Sequence, residues 1–478
     1  MTFDTADLIP VLPEILVLIL ASAVLLVDLY VKNAERGLSH NLTLIGLVIT
    51  IAVTVLVGGG AQQAVLEGHY VRDLLSDTLK VMILVVGLLV FVYSRDYLRD
   101  RDLATGEYYV LGLFALLGMM IMVSANSFLA IYLGLELLAL CLYALVAFDR
   151  DSKRGAEAAM KYFVLGALGS GMLLYGVSMI YGATGSLELG AVAEAIATGG
   201  AENLVLVFGL AFMVVGIGFK FGAVPFHMWV PDIYEGAPTP VVLLLGSAPK
   251  IAALALAVRL LIDALGGLHP DWQGMLVILS VLSLGLGNLL AIAQTNIKRM
   301  LAYSTISHVG FIFLGLLAGT QEGFASAMFY AIVYALMAAG AFGILLVLSR
   351  RGFDAENLED LKGLNDRDAW YAALMALMMF SMAGVPPFVG FMAKLFVLKA
   401  VIDIGLVWLA VFAVAFSIIG AFYYLRVIWH IYFDKPLTDA PLTASGGVRF
   451  AMSLNGAAVL GLGLFPAGLL SVCQAAFA

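Results

Sequence analysis

Charged residues are scarce in this sequence: only 12% of its 478 residues are Asp, Glu, Lys or Arg, whereas 63% are hydrophobic. Soluble domains carry about 25% charged residues, so this composition excludes water as the only solvent of the chain. A disordered or nucleic-acid-binding chain would also be more polar, and usually more basic than a formal net charge of −8. The two cysteines, Cys141 and Cys473, are too few for a disulfide framework or a Cys-ligated iron–sulfur cluster.

Nucleotide-binding and redox motifs are absent as well. The sequence contains no Gly-x-Gly-x-x-Gly and no P-loop, and no interior histidine has a partner at a spacing typical of haem or metal sites. We therefore expect no NADH site, no redox centre, no other cofactor and no metal in this chain. If the chain takes part in redox chemistry, the electrons move through other subunits.

Long hydrophobic runs fill the chain instead. A helix needs roughly 20 largely apolar residues to cross a bilayer, and fourteen runs of about that length are bounded by charged or turn residues. The fold class is therefore predicted to be an all-α polytopic membrane protein. The predicted spans are 8–30, 42–57, 74–93, 108–123, 128–148, 156–181, 204–228, 241–264, 275–293, 300–317, 324–348, 369–401, 404–433 and 450–472.

The distribution of basic residues supports the count of fourteen. Lys and Arg near span ends stay on the cytoplasmic side of a membrane. The loops after spans 1, 3, 5, 9, 11 and 13 hold sixteen basic residues, whereas the opposite set holds only Arg72, so both termini are expected outside. The sixteen are Lys32, Arg36, Arg95, Arg99, Arg101, Arg150, Lys153, Arg154, Lys298, Arg299, Arg350, Arg351, Lys362, Arg367, Lys435 and Arg449.

Eight basic residues remain inside the spans, where a charge costs a few kcal/mol unless it is paired or hydrated. Four of them lie within about two turns of a span end, where a long side chain can reach the interface. Carboxylates on the same helix face are expected to pair with three of these four. The four are Lys80 with Asp77 nearby, Arg259 with Asp263, Lys399 with Asp403, and Arg426.

Another set of ionisable residues is predicted to lie deep in the membrane or beside helix interruptions. At 1.5 Å per residue, the deepest of them is about 14 Å from the span end. Such a set is typical of a proton or ion path, because each member can exchange a proton. The alternative is a group of neutral or internally paired residues that fixes helix packing. The set comprises Glu136, Lys161, Lys220, Lys250, His308 and Lys394.

Glu136 and Lys161 lie on consecutive antiparallel spans and form a candidate switch. A carboxylate stabilises a nearby ammonium group, so its approach or withdrawal can load or release a proton. Counting from the connecting turn leaves the two residues about 10 Å apart along the membrane normal. Contact between them therefore requires movement, water or a carboxylate from a neighbouring chain.

Spans 7 and 12 share the pattern Gly-x-x-Pro-Phe, at 222–226 and 384–388. Proline removes a backbone donor and clashes with the preceding turn, so we expect a broken helix at each place. The two spans run in opposite directions, which indicates an inverted repeat of spans 4–8 and 9–13; two ordinary proline kinks are the alternative. The chain is therefore expected to divide into residues 1–105 with spans 1–3, 106–268 as the first repeat, 269–433 as the second repeat, and 434–478 with span 14. The expected break residues are Gly222, Pro225, Gly384, Pro386 and Pro387.

Several specific segments resemble one known family. They are Pro-Phe-His-Met-Trp-Val-Pro-Asp at 225–232, Ala-Pro-Thr-Pro at 237–240, and Lys-Arg-Met-Leu-Ala-Tyr-Ser-Thr-Ile-Ser-His at 298–308. Together with an acid in span 5 and lysines in spans 6, 7 and 8, they resemble the antiporter-like membrane subunits of respiratory complex I. The resemblance covers essentially all fourteen spans.

The resemblance implies a proton-pumping module in the membrane arm of an NADH:quinone oxidoreductase, a translocase whose quinone chemistry occurs in other subunits. It implies a bacterial inner membrane with periplasmic termini. The expected partners are the bilayer and other membrane-arm subunits, including a second antiporter-like subunit, and no nucleic acid. In the proton path that the resemblance implies, Glu136 and Lys161 are the coupling pair and Lys220 is the central relay of the first half-channel. His227 and Lys250 connect this half-channel to the middle of the subunit, and His308 and Lys394 belong to the second half-channel.

Two other functions fit the same residues. The first is a subunit of a multi-subunit cation/proton antiporter, which shares this fold. The second is a structural scaffold whose buried charges only fix subunit packing.

Overall fold

The structure, a computed structural model, describes residues 5–31, 37–199, 204–349, 351–438, 442 and 444–478. Its first ten helices are α1 (Leu12–Asp28), α2 (Gly37–Val57), α3 (Leu74–Asp100), α4 (Gly106–Ser124), α5 (Phe128–Val146), α6 (Lys153–Thr184), α7 (Leu189–Gly199), α8 (Leu204–Phe221), α9 (Trp229–Gly236) and α10 (Thr239–Gly246). The next ten are α11 (Ala248–Ala257), α12 (His269–Ile292), α13 (Ile297–Leu317), α14 (Gln321–Leu348), α15 (Leu364–Arg367), α16 (Ala369–Ala383), α17 (Val389–Asp403), α18 (Val407–Tyr432), α19 (Gly446–Leu464) and α20 (Ala467–Ala475).

Twelve helical segments in the described part of the chain are long and apolar enough to cross a bilayer. Helix α1 has 17 residues, and the two halves of predicted span 12, α16 and α17, have 15 each. Neither half of span 12 reaches the length of an uninterrupted crossing, and α1 lies at the lower limit of about 17 residues. The chain is thus an all-helical polytopic membrane protein, and each predicted span overlaps a helix or a broken pair of helices.

Helix α14 is the centre of the bundle, and the apolar window that would cross the membrane is wholly buried. Small residues let its neighbours approach closely. A Cβ on Gly340 would lie 2.5 Å from the Met378 side chain, and one on Gly343 would lie 2.7 Å from the Tyr93 ring. The helix continues through both glycines, so they serve close packing.

The backbone is interrupted in both spans that carry the Gly-x-x-Pro-Phe pattern. Helix α8 ends at Phe221, and Gly222 follows with φ +76°. Helix α16 ends at Ala383, and Gly384 follows with φ +87°. Both glycines occupy the left-handed region, which a side chain would disfavour. A third interruption, at Ser247 between α10 and α11, escaped prediction although Pro249 follows it closely.

A two-stranded hairpin covers one end of the bundle. Strands β1 (Gln63–Val65) and β2 (Tyr70–Arg72) pair antiparallel. The bridge Tyr70–Ala125 joins the hairpin to the α4–α5 connection, and the bridge Ser127–Glu188 joins that connection to the one between α6 and α7. Neither the hairpin nor helix α7 was predicted, because both are too short to cross the membrane.

Loops rich in basic residues meet at the opposite end, the predicted cytoplasmic end. Arg101 lies 2.6 Å from Asp354, and Arg154 lies 2.8 Å from Glu356. These ion pairs place the loops after predicted spans 3, 5 and 11 together. Three of the sixteen basic residues used to predict sidedness, Lys32, Arg36 and Arg350, lie outside the described residues.

Candidate functional site

Lys220 lies in the last turn of α8, directly before the break. Its ammonium group donates to the Ser170 hydroxyl of α6 at 3.2 Å. Glu136 of α5 keeps one buried carboxylate oxygen, Oε1, without a hydrogen-bond partner among the described residues. A cavity of about 30 Å³ lies between Lys220 and Lys250, with room for about one or two water molecules.

Lys250 lies one turn after the Ser247 interruption and is 1% exposed. Its ammonium group donates to the carbonyl of Phe221, the last residue of α8, at 2.9 Å. It also lies 5.6 Å from the centre of the Trp229 ring. The last carbonyls of a helix have no partner within that helix and carry partial negative charge, so Lys250 stabilises the end that the break exposes.

Lys394 makes the corresponding contact in the second half. Its ammonium group donates to the carbonyl of Ala383, the last residue of α16, at 2.9 Å, and to the Ser417 hydroxyl of α18 at 2.8 Å. It also lies 5.1 Å from the centre of the Phe311 ring. Both broken helices therefore end against a buried lysine.

His308 lies in a cluster of hydroxyl groups that the sequence did not reveal. Its Nδ1 is 2.7 Å from the Tyr330 hydroxyl, and its Nε2 is 3.0 Å from the Tyr424 hydroxyl. The Tyr424 hydroxyl in turn lies 2.5 Å from that of Ser304. One sequence signal existed, because Ser304 and His308 are four residues apart and share a face of α13. The tyrosines come from α14 and α18, which only the fold brings close.

His227 occupies the turn between α8 and α9. Its ring is half-buried, and Nδ1 has no hydrogen-bond partner within the described chain. The backbone carbonyl of His227 accepts a bond from Val230 and thereby helps to start α9. The structure thus places His227 at the break that separates Lys220 from α9.

Lys161 does not contact Glu136 in this conformation. Its ammonium group lies 2.9 Å from Asp232 and 3.0 Å from Glu157. After the break, α9 packs beside the end of α6 and brings Asp232 next to Lys161. The positions of residues along spans 5 and 6 alone could not predict this contact. Direct pairing of Lys161 with Glu136 therefore stays a prediction.

Lys80 does not follow the expectation for a residue near a span end. Its side chain is fully buried, pairs with Glu14 of α1 at 2.9 Å and donates to the Tyr70 hydroxyl at 2.6 Å. Asp77, the predicted partner, instead pairs with Arg72. Lys80 therefore belongs to a buried ion pair between α1 and α3, and removal of one partner would leave an uncompensated charge.

The other cations near span ends have different partners. Arg259 pairs with Asp263, as predicted, and also with Asp73. The prediction for Lys399 was wrong, since this exposed side chain lies 3.7 Å from Glu322 rather than beside Asp403. The last of the group, Arg426, donates to the backbone carbonyls of Ile292 and Gln294.

The geometry defines a class of protein: a polytopic helical membrane protein in which broken helices and buried lysines form a polar interior. In the described residues, no three His, Cys, Asp or Glu side chains are placed to hold a metal ion. Residues 125–420 match the family described as "NADH:quinone oxidoreductase/Mrp antiporter, TM". The chain belongs to this family.

Relatives of known name extend the match to the whole chain. The NADH-quinone oxidoreductase subunit N of Thioalkalivibrio sulfidiphilus is 57% identical over 100% of this chain and 99% of the relative. The subunit of the same name from Alkalilimnicola ehrlichii is also 57% identical, with the same coverage. A chain of respiratory complex I from Thermus thermophilus, solved with bound aureothin, is 33% identical, covers 96% of this chain and 98% of its own, and superposes with a TM-score of 0.83. The resemblance to antiporter-like membrane subunits of complex I is confirmed.

Proposed function

We propose that this chain is the proton-translocating, antiporter-like subunit N of an NADH:quinone oxidoreductase in a bacterial inner membrane. It moves protons while quinone is reduced in other subunits of the complex. The observation that carries the proposal is the pair of broken helices whose last carbonyls, at Phe221 and Ala383, each accept a bond from a buried lysine. A purely apolar bundle would need neither the breaks nor the lysines.

The proposed relay begins at the Glu136 and Lys161 pair and continues through Lys220 to Lys250. It then passes to His308 and Lys394 in the second half, with His227 beside the first break. No redox centre, NADH site or other cofactor is proposed for this chain.

The contacts divide into those that can pass a proton and those that hold a side chain in place. Hydroxyl and imidazole groups both donate and accept, so a proton can enter on one side and leave on the other. The hydroxyls of Ser170 and Ser417 and the His308 cluster are of this kind. Backbone carbonyls only accept, so the bonds to Phe221 and Ala383 hold Lys250 and Lys394 in place. Transfer between Lys220 and Lys250 would use water in the cavity between them.

The proposed topology has fourteen crossings. Helix α1 and the broken pair α16–α17 complete the twelve long apolar segments. Residues 106–268 and 269–433 form two inverted five-helix repeats, preceded by residues 1–105 and followed by 434–478. Both termini lie in the periplasm, because the basic loops then face the cytoplasm.

The alternatives are a cation/proton antiporter subunit and a scaffold. Purification of the intact membrane complex separates the first from our proposal. An oxidoreductase subunit should co-purify with flavin-containing and iron–sulfur subunits and with a second antiporter-like subunit. A complex that contains only small membrane chains would support the antiporter instead.

A Lys220→Ala variant of the assembled complex tests the relay against the scaffold. We expect a loss of most proton translocation and of the quinone reductase activity coupled to it, roughly tenfold or more, because no other described group donates to the same hydroxyl. Proton uptake into vesicles during NADH oxidation measures this. Lys399→Ala is the matched control, since it removes a lysine that is 65% exposed and outside the relay. Equal rates in the two variants would contradict the relay.

A further inference from the structure

A chain of alternating ion pairs crosses the predicted cytoplasmic end of α6, α9 and α13. In order, it connects Lys161, Asp232, Arg299, Glu235, Arg154, Glu356 and Lys298. Each of the three carboxylates uses its two oxygens for two different cations, at nitrogen–oxygen distances from 2.6 to 3.0 Å. This ion-pair chain joins the two proposed repeat units, because Lys161 belongs to the first and Lys298 to the second.

Asp232 is the member of the ion-pair chain that holds Lys161. Its Oδ2 accepts from Lys161 at 2.9 Å and its Oδ1 from Arg299 at 2.8 Å. The same short helix, α9, begins at Trp229, whose ring stacks on Tyr162 with ring centres 4.9 Å apart. Helix α9 therefore touches two consecutive residues of α6, one through an ion pair and one through ring stacking.

The ends of α9 reach both the membrane interior and the second repeat unit. At its start, the Trp229 ring lies 5.6 Å from the Lys250 ammonium group. Just past its end, the carbonyl of Ala237 accepts a bond from the buried Lys298 at 3.2 Å. A shift of α9 would therefore change the contacts of Lys161, of Lys250 and of Lys298 in α13 at the same time.

Helix α9 is a short, largely buried helix that is separate from α8. It has eight residues and follows the break at Gly222, so no continuous helix ties it to α8. Side chains attach it to its neighbours: the Trp229 indole nitrogen donates to the Phe219 carbonyl of α8 at 3.0 Å, and the ion-pair chain reaches α6 and α13. Helix α9 is thus placed by these three helices together.

We propose that Asp232 is a positioning residue that competes with Glu136 for the Lys161 ammonium group; this inference rests on the proposed function. When Asp232 holds Lys161, the Glu136 carboxylate is left without that partner, as in the present structure. When α9 withdraws, Lys161 is released toward Glu136, about 10 Å deeper by counting along the helices. The position of α9 thus selects which carboxylate binds Lys161.

The ionisation of Asp232 suits this role. Burial raises the pKa of Asp232, but the bonds and charges of Lys161 and Arg299 lower it more, so its pKa lies below the ordinary value. The carboxylate is therefore charged at neutral pH, and its hold on Lys161 weakens only as the pH falls through the lowered pKa. Across the physiological pH range, the position of α9, and not the charge of Asp232, therefore decides whether Asp232 or Glu136 binds Lys161.

The test uses the assembled complex in vesicles, with proton translocation measured per complex and per electron. Asp232→Asn should lower the translocation rate at least threefold, because Lys161 then stays with Glu136, and Asp232→Glu should restore at least half of the wild-type rate. Glu157→Gln is the matched control: it also removes a carboxylate 3.0 Å from Lys161, but one on the same helix, α6. We expect it to keep a rate within twofold of wild type.

Lys220→Ala, measured in parallel, separates this inference from the proposed function. If Lys220→Ala abolishes translocation while Asp232→Asn pumps at the wild-type rate, the inference is wrong and the function stands. If Lys220→Ala also pumps normally, the proposed function itself fails. A lower yield of assembled complex with a normal rate per complex in Asp232→Asn would show a structural role only and would overturn the inference. Equal losses in Glu157→Gln and Asp232→Asn would do the same.

Discussion

The two halves of the molecule achieve the same arrangement with different parts. In the first half, the end of the broken helix α8 is held by Lys250, a residue from the next span. In the second half, the end of α16 is held by Lys394, which lies beyond the break in the same span. Each half therefore needs a buried ammonium group at its break, but the sequence position of that group is free to differ.

The surroundings of the two lysines also differ. Lys250 and Lys220 border a cavity of about 30 Å³, and the hydroxyl near them is Ser170. Lys394 borders a groove of about 330 Å³ and binds Ser417, and His308 lies among tyrosine hydroxyls on α14 and α18. The first half is thus arranged around a carboxylate and lysines, and the second around hydroxyls and an imidazole. Proton transfer is expected to need water in the first half and side chains in the second.

The largest expected effect comes from removing the lysine at each break. Lys250→Met and Lys394→Met keep an unbranched side chain one atom shorter, but each leaves a helix-end carbonyl without its donor, which costs about 1–3 kcal/mol. Each also removes a proton carrier. We expect both variants to lose roughly tenfold or more of the proton translocation rate. Vesicle assays of the assembled complex measure this.

The outcome of those two variants sharpens the comparison between the halves. Similar losses would show that both breaks serve the same function. A normal rate in Lys394→Met with a large loss in Lys250→Met would contradict the symmetry and would place the path in the first half alone.

A smaller effect is expected from Tyr424→Phe, which removes the hydroxyl that contacts His308 Nε2 and Ser304. We expect the rate to fall roughly fivefold, the equivalent of one hydrogen bond of about 1 kcal/mol in the transfer path. Tyr423→Phe is the control, because the neighbouring hydroxyl binds Asn288 and not His308. Equal rates in the two variants would show that hydroxyls do not carry the proton in the second half.

Much of the fold could be predicted because the bilayer imposes it. Spans follow from the length of apolar runs, and both Gly-x-x-Pro-Phe segments coincide with interruptions, because proline and glycine act on the local backbone. The pairing of Arg259 with Asp263 followed from helix geometry as well. These are properties of neighbours along the chain.

The contacts that escaped prediction join distant parts of the chain. Lys161 binds Asp232, 71 residues away, because α9 folds back after a break whose angle the sequence does not encode in any local pattern. Lys80 binds Glu14 for a similar reason, since α1 and α3 meet only in the bundle. Side-chain spacing within α3 predicted that Lys80 would pair with Asp77. In the packed bundle, Lys80 pairs with Glu14 instead.

The central claim is that one continuous relay runs through both halves, and a double variant tests it most directly. The measurement compares proton translocation by Lys220→Ala, by Lys394→Met and by the variant with both changes. Residues on one path are not additive, so the double variant should be no slower than the slower single variant. A double variant whose loss is the product of the two single losses would contradict a single path.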